Sequence, residues 1–151
     1  MNTYFKIIED LKTEAIAEPF INTVTQGDIT EIDLDKKTIF PLCHISVSNA
    51  TIASNVTTID LVVFLMDIVD ASKDTPTNQI RGNNNEMDVL NTQLAVASRL
   101  QASLLRNSDY RDIYELQSDF SCDPFTERFE NNLAGWAVTF TISVQNDMTS
   151  A

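Results

Sequence analysis

The sequence predicts an α+β domain: an antiparallel β-sheet made of two hairpins, with a long central helix and an N-terminal helix packed on it. Three observations carry this reading. Residues 42–52 and 57–70 are adjacent strand-like runs. Residues 85–106 hold an apolar stripe at helical spacing. The chain then returns to alternation and ends with Trp136, Val138, Phe140, Ile142 and Val144, interleaved with Ala137, Thr139, Thr141 and Ser143. A helix set between two hairpins is the pattern in which helices gather on one face of an antiparallel sheet. The 151 residues suit a single domain, 1–151, with one core.

Residues 3–17 place Tyr4, Ile7, Ile8, Leu11 and Ala15 at helical spacing, with Glu9, Asp10, Lys12 and Glu14 largely opposite. Asn2 or Thr3 serves as cap, and Pro19 ends the helix because the residue before a proline avoids the helical region. Residues 25–41 are polar and acidic, with Gly27 as turn former. Ile29, Ile32 and Leu34 there suit a short helix or a covering strand. In residues 42–52, Cys43, Ile45 and Val47 share one face, while His44, Ser46 and Ser48 share the other. Ser48-Asn49-Ala50 marks a bend or bulge. Residues 57–70 are almost continuously apolar, which predicts a strand covered on both faces and paired with the preceding one as a hairpin.

Residues 70–85 read as a long polar loop with Pro76, Gly82 and three successive asparagines. The helix over 85–106 follows. Its predicted core stripe is Met87, Leu90, Leu94, Ala97, Leu100 and Leu104. Asn85 is a good N-cap, Glu86 and Asp88 suit the first turn, and Arg106 suits the last. Tyr114, Leu116, Ser118 and Phe120 then alternate. Residues 124–130 alternate Phe125 and Phe129 but put Glu127 on the same parity, a conflict that a bulge, an edge position or a partner resolves. The last strand spans 135–146.

A net charge of −12 weighs against tight nucleic-acid binding, which needs Lys and Arg to neutralise phosphates. It weighs equally against docking on an anionic membrane. Cys43 and Cys122 stand too far apart and too few to form a secreted disulfide scaffold, so reduced thiols are expected. Residues 1–20 are too charged for a signal peptide, and the longest apolar run, Leu61 to Met66, is too short to span a bilayer. A cytosol-like compartment of synthesis is the expectation.

Catalytic patterns are wanting. His44, the single histidine, sits on the polar side of a strand next to Cys43, and adjacent strand residues point to opposite faces. They make a poor nucleophilic pair, and His44 reads as structural. Two Cys and one His cannot furnish a zinc quartet. The acidic run Asp28, Glu31, Asp33 and Asp35 lacks the glycine and closing glutamate of a calcium loop, and reads as a solvated face. The three glycines lie far apart, which argues against a phosphate loop, and there is no G-x-S-x-G elbow. No cofactor, metal or enzymatic activity is expected.

The runs IFPLCHISVSNATI, LVVFLMDIVD, NEMDVLNTQLAVASRLQASLLR and PFTERFENNLAGWAVTFTISVQND occur in the order seen in small tailed-phage morphogenesis proteins. Over residues 3–147 the chain resembles the tail-terminator and head–tail joining (neck ring) family of tailed bacteriophages, and is similar to structural proteins of crAss-like phages. The resemblance implies a non-enzymatic virion protein, made in the host bacterial cytoplasm. It would be a homo-oligomeric ring of six- or twelve-fold symmetry at the neck or tail, meeting portal, neck or tail proteins. DNA would pass through the bore without sequence-specific contact, and an acidic bore would let it slide. Candidate interface positions are Lys73, Asp74, Gln79 and Arg81 in the long loop, Glu127 and Arg128 at the parity conflict, and Thr139 and Thr141 on the uncharged face of the last strand. The competing expectations are a small cytosolic enzyme using Cys43 or a carboxylate pair, and a monomeric binding module.

Overall fold

The computed structural model describes residues 3–27, 40–69, 85–106, 114–116, 119–128 and 133–145. Within them run α1 (Thr3–Ile16), β1 (Thr23–Gln26), β2 (Leu42–Ile52), β3 (Val56–Ile68), α2 (Glu86–Arg106), β4 (Tyr114–Leu116), β5 (Ser121–Arg128) and β6 (Leu133–Gln145). The architecture is α+β: a mostly antiparallel, open, six-stranded mixed sheet with the helices packed on one side. The strand order is β1-β2-β3-β6, after which β4 and β5 both pair with the outer edge of β6. They lie end to end there. β4 takes Ile142 to Val144, and β5 takes the stretch from Leu133 to Thr139. The two expected hairpins are β2–β3 and β5–β6. β1, which pairs in parallel with the start of β2, was not foreseen.

β3 forms the spine because its pairs are made on both edges for most of its length. Ile59, Leu61, Val63 and Leu65 turn towards the helices and join Cys43, Ile45, Val138, Phe140, Ile142 and Val144 in the main core. Full burial of each large aliphatic side chain is worth about 1.5–3 kcal/mol. Phe120 stacks on Phe140 with centroids 4.3 Å apart. Trp136 is half-buried, and its indole N–H donates to the Leu90 carbonyl at 2.8 Å. That bond anchors α2 to β6. A Cβ at Gly135 would stand 1.9 Å from the Leu65 carbonyl oxygen, so glycine is what lets β6 approach β3 there.

Both helices pack on this core, with corrections to the expected stripes. On α1 the buried residues are Ile7, Leu11 and Ala15, and Tyr4 is exposed. On α2 the buried residues are Val89, Gln93, Val96, Ala97, Leu100 and Leu104, whereas Met87 and Leu94 are 49% and 41% exposed. The expected α2 stripe drifted between two faces of the helix. Its second half is core, and its first half is displaced by Val89 and by a polar residue, Gln93. Asn85 precedes the helix as expected, and its carbonyl accepts the first helical bond from Val89 N–H at 2.9 Å.

A second, smaller core lies on the opposite side of the sheet at one end: Phe40, Leu42, Met66, Phe125 and Leu133, with Phe64 and Ile68 against them. This end of β3 is therefore buried on both sides, as its unbroken apolar run predicted. The bulge expected at Ser48 is present as a register shift between Val47 and Asn49. A second shift, between Phe125 and Arg128, falls at the parity conflict of Glu127.

Candidate functional site

The sheet's second face is the candidate site. Register places Ser46 beside Val62 and Val62 beside Thr139. Next to them run His44, Phe64, Ala137 and Asp123, each beside the next. Beyond lies the Asn49, Asp60 and Thr141 row. Both described helices pack on the main core, and α1 reaches this side only at its β1 edge, through Tyr4. Thr139 is exposed, and Ala137, Thr141 and Ser143 are half-buried. The described charges here are Asp60, Asp123 and Glu115, all acidic, as register on β3, β5 and β4 places them.

The uncharged side of β6 thus has a charged neighbour. The Thr141 hydroxyl donates to Asp60 Oδ1 at 2.7 Å, and the Ser48 hydroxyl at the bulge donates to the Asp60 main-chain carbonyl at 3.1 Å. Sequence reasoning named Thr141 and missed Asp60. The available signal was that Asp60 is the one charge inside an apolar run from Ile59 to Met66.

Towards β1 the face closes around His44, which is fully buried. Its Nε2 lies 2.8 Å from the Gly27 carbonyl, which can only accept, so Nε2 carries a proton. Its Nδ1 lies 2.8 Å from the Thr25 hydroxyl. The Ser46 hydroxyl donates to the same Gly27 carbonyl at 3.0 Å. Gly27 holds φ at 111°, a conformation that favours glycine, and this aims its carbonyl at both donors. His44 therefore ties β1 and its turn to β2. It was placed on the polar side correctly, but it is enclosed. A shallow concavity opens alongside, lined by Tyr4 of α1 and by Gln26, Gly27, Ser46, Val47, Ser48, Val62 and Phe64.

Cys43 is buried in the main core, and burial pushes its thiol up to about 12. It presents no thiolate near neutral pH. Cys122 is half-exposed, and its thiol is raised by burial and then by Asp123. Among the described residues no group of three or more His, Cys, Asp or Glu is placed to hold a metal, and no helix is long and apolar enough to cross a membrane.

The proposed interface residues are thus distributed unevenly. Thr139 and Thr141 share the open face with Asp60. Glu127 and Arg128 lie on β5 at the irregular register, with their side chains outside the described residues. Lys73, Asp74, Gln79 and Arg81 lie outside the described residues altogether. No protein-family model and no curated protein matches the chain.

Proposed function

We propose that this chain is a non-enzymatic structural subunit of a tailed-phage virion, forming a neck or tail ring, as tail terminator or head–tail connector, through which DNA passes. The reading rests on the order of runs that resembles that family. The observation that carries it further is the open sheet face. Ser46, Val62, Thr139 and Ala137 make a surface of small, mostly uncharged side chains across β2, β3 and β6. Covering such a surface with a neighbouring subunit strips water from few charges, so the desolvation cost is low. The sealed positions of His44 and Cys43 give no support to the nucleophile reading of a small enzyme.

Cryo-electron microscopy of purified virions tests the proposal, with the chain built into neck or tail density and detected by mass spectrometry of the particle. The expected result is a closed ring with Thr139 less exposed than in the isolated chain. Absence of the chain from mature particles overturns the reading. Thr139→Glu on the open face is expected to block incorporation while leaving the fold intact by circular dichroism.

A further inference from the structure

The sheet has two outer edges, and the chain guards them unequally. On the β5 side the edge is blocked twice. Pro124 has no N–H to give to β6, so its main-chain groups face outwards, and by alternation those of Phe120 and Cys122 do the same. The Gln101 side-chain carbonyl takes the Phe120 N–H at 3.2 Å, and Asp123 adds a charge to the strand. Proline, charge and a covering side chain are devices that keep an edge from pairing with a further strand.

On the other side, β1 pairs only with Leu42 to Ile45. Past that point the outer edge of β2 runs on to Ile52 with no strand beside it among the described residues. The Gly27 N–H donates to the Ile45 carbonyl at 3.0 Å, so Ile45 turns its main-chain groups outwards. Alternation, shifted by one at the Ser48 bulge, turns those of Val47, Ala50 and Ile52 the same way. Ser48 to Ile52 are all exposed, and Ile52 reaches 71%. The bulge is the one guarding device here. Beyond it the ladder to β3 is regular from Asn49 to Ile52, and no residue from Leu42 to Ile59 is Pro, Asp, Glu, Lys or Arg.

Such an edge specifies its occupant through the backbone: an extended strand with donors and acceptors in alternate order. Closure selects which strand. If β2 meets β2 of another copy, the joined sheet ends in β5 on both sides, where Gln101 and Pro124 stop further addition. With a two-fold axis beside Thr51, Ala50 of each copy faces Ile52 of the other on the same side of the sheet. That register sets each β1 beyond the tip of the other hairpin, since β1 ends opposite Ile45. We infer that the free edge of β2, from Asn49 to Ile52, is a strand-pairing surface, and that its occupant is the same edge of a second copy of this chain, antiparallel about that axis. The contact uses one patch twice and closes at two copies. It is separate from any head-to-tail joint that builds a ring.

The test uses the full chain. Sedimentation equilibrium is expected to show a reversible dimer. Ala50→Pro deletes an outward N–H without touching the ladder to β3, and should weaken the dimer about tenfold or more, because a symmetric contact loses the bond twice. Ala50→Lys should weaken it too, with an unchanged circular dichroism spectrum, whereas Phe5→Lys on the exposed side of α1 should leave it intact. Register is read in a Cys122→Ser background: Thr51→Cys is expected to form a covalent dimer on mild oxidation, and Asn55→Cys, also exposed, is not. A strictly monomeric chain overturns the proposal. So does a dimer indifferent to both Ala50 variants, or one that Asn55→Cys links and Thr51→Cys does not. The two readings fail separately: a chain absent from virions removes the ring and not this dimer, while a monomeric chain removes this dimer and not the ring.

Discussion

The two faces of the sheet obey different rules. On the helix-covered face, burial decides identity: β2, β3 and β6 supply Ile45, Leu61, Val63, Phe140 and Ile142 at successive inward positions. On the open face, hydrogen bonding decides: Thr141 meets Asp60, His44 meets Thr25 and Gly27, and Ser48 closes the bulge. Among the described residues, only the end capped by Phe40, Leu42, Met66, Phe125 and Leu133 is apolar on both sides. The same strands therefore encode a non-directional core on one side and a directional polar lattice on the other. The first tolerates changes that preserve volume, and the second tolerates few changes of donor or acceptor.

The largest expected effect separates the faces by packing. Phe140→Ala removes a ring that is 2% exposed and stacked on Phe120, and should cost about 3–5 kcal/mol in urea unfolding. Phe64→Ala on the open face removes a half-buried ring whose neighbours are His44 and Phe125, and should cost about 1–2 kcal/mol. Equal losses would mean that the open face is packed as tightly as the covered one.

Two described residues break the rule of the covered face: the Thr57 hydroxyl, beside Val144, and Gln93 are both buried without a partner. Gln93 is 1% exposed on the core side of α2, and its side-chain carbonyl has no hydrogen-bond partner. A buried unsatisfied acceptor costs about 1–3 kcal/mol. Gln93→Met keeps a similar shape without the amide, and should raise unfolding stability by about 1 kcal/mol or more. A loss of stability instead would show that the amide is satisfied in solution, and the covered face would then be less purely apolar than the packing indicates.

The sequence made the covered face legible because alternation on three long strands reports burial directly. The alternation named Val138, Phe140, Ile142 and Val144 of the core correctly, with Trp136 half-buried against it, and the continuous run of β3 foretold burial on both sides at one end. Helix α2 was legible in extent but not in rotation. Leucines and alanines occupy nearly every face of it, so the apolar pattern fits two stripes, and Gln93 masks the true one. β1 was missed because four residues, three of them polar, carry no periodicity; its place is fixed by pairing with β2 and by His44. Asp60 was missed because a lone charge in an apolar run looks like a fault in the pattern until its partner on β6 is known. Lys73, Asp74, Gln79 and Arg81 rested on loop length alone, and they lie outside the described residues.

The rule of the open face is tested by Thr141→Val, which keeps shape and strand propensity while deleting the donor to Asp60. The expected loss is about 1 kcal/mol, and Thr139→Val, at an exposed site where no such bond is seen, should change stability by less than about 0.5 kcal/mol. A double-mutant cycle with Asp60→Ala isolates the pair. If Thr141→Val costs the same in the Asp60→Ala background, the bond contributes nothing and the open face is held by backbone pairing alone.

The last contrast distinguishes the centre of the covered face from its edge. Burial raises the Cys43 thiol from an ordinary 9.0 to about 12, so the folded chain keeps its proton where the unfolded chain releases it. The contribution of the neutral thiol is complete below pH 9 and is lost as pH rises from there towards about 12. Stability of the wild type should therefore fall more steeply above pH 9 than that of Cys43→Ala, by up to about 1.4 kcal/mol per pH unit. At neutral pH a thiol reagent should modify Cys122 at the sheet edge first, and Cys43 only as fast as the chain opens. Equal labelling rates for the two would mean that the centre of the covered face opens as readily as its edge, and the contrast between the two faces would then hold for the average structure but not for its fluctuations.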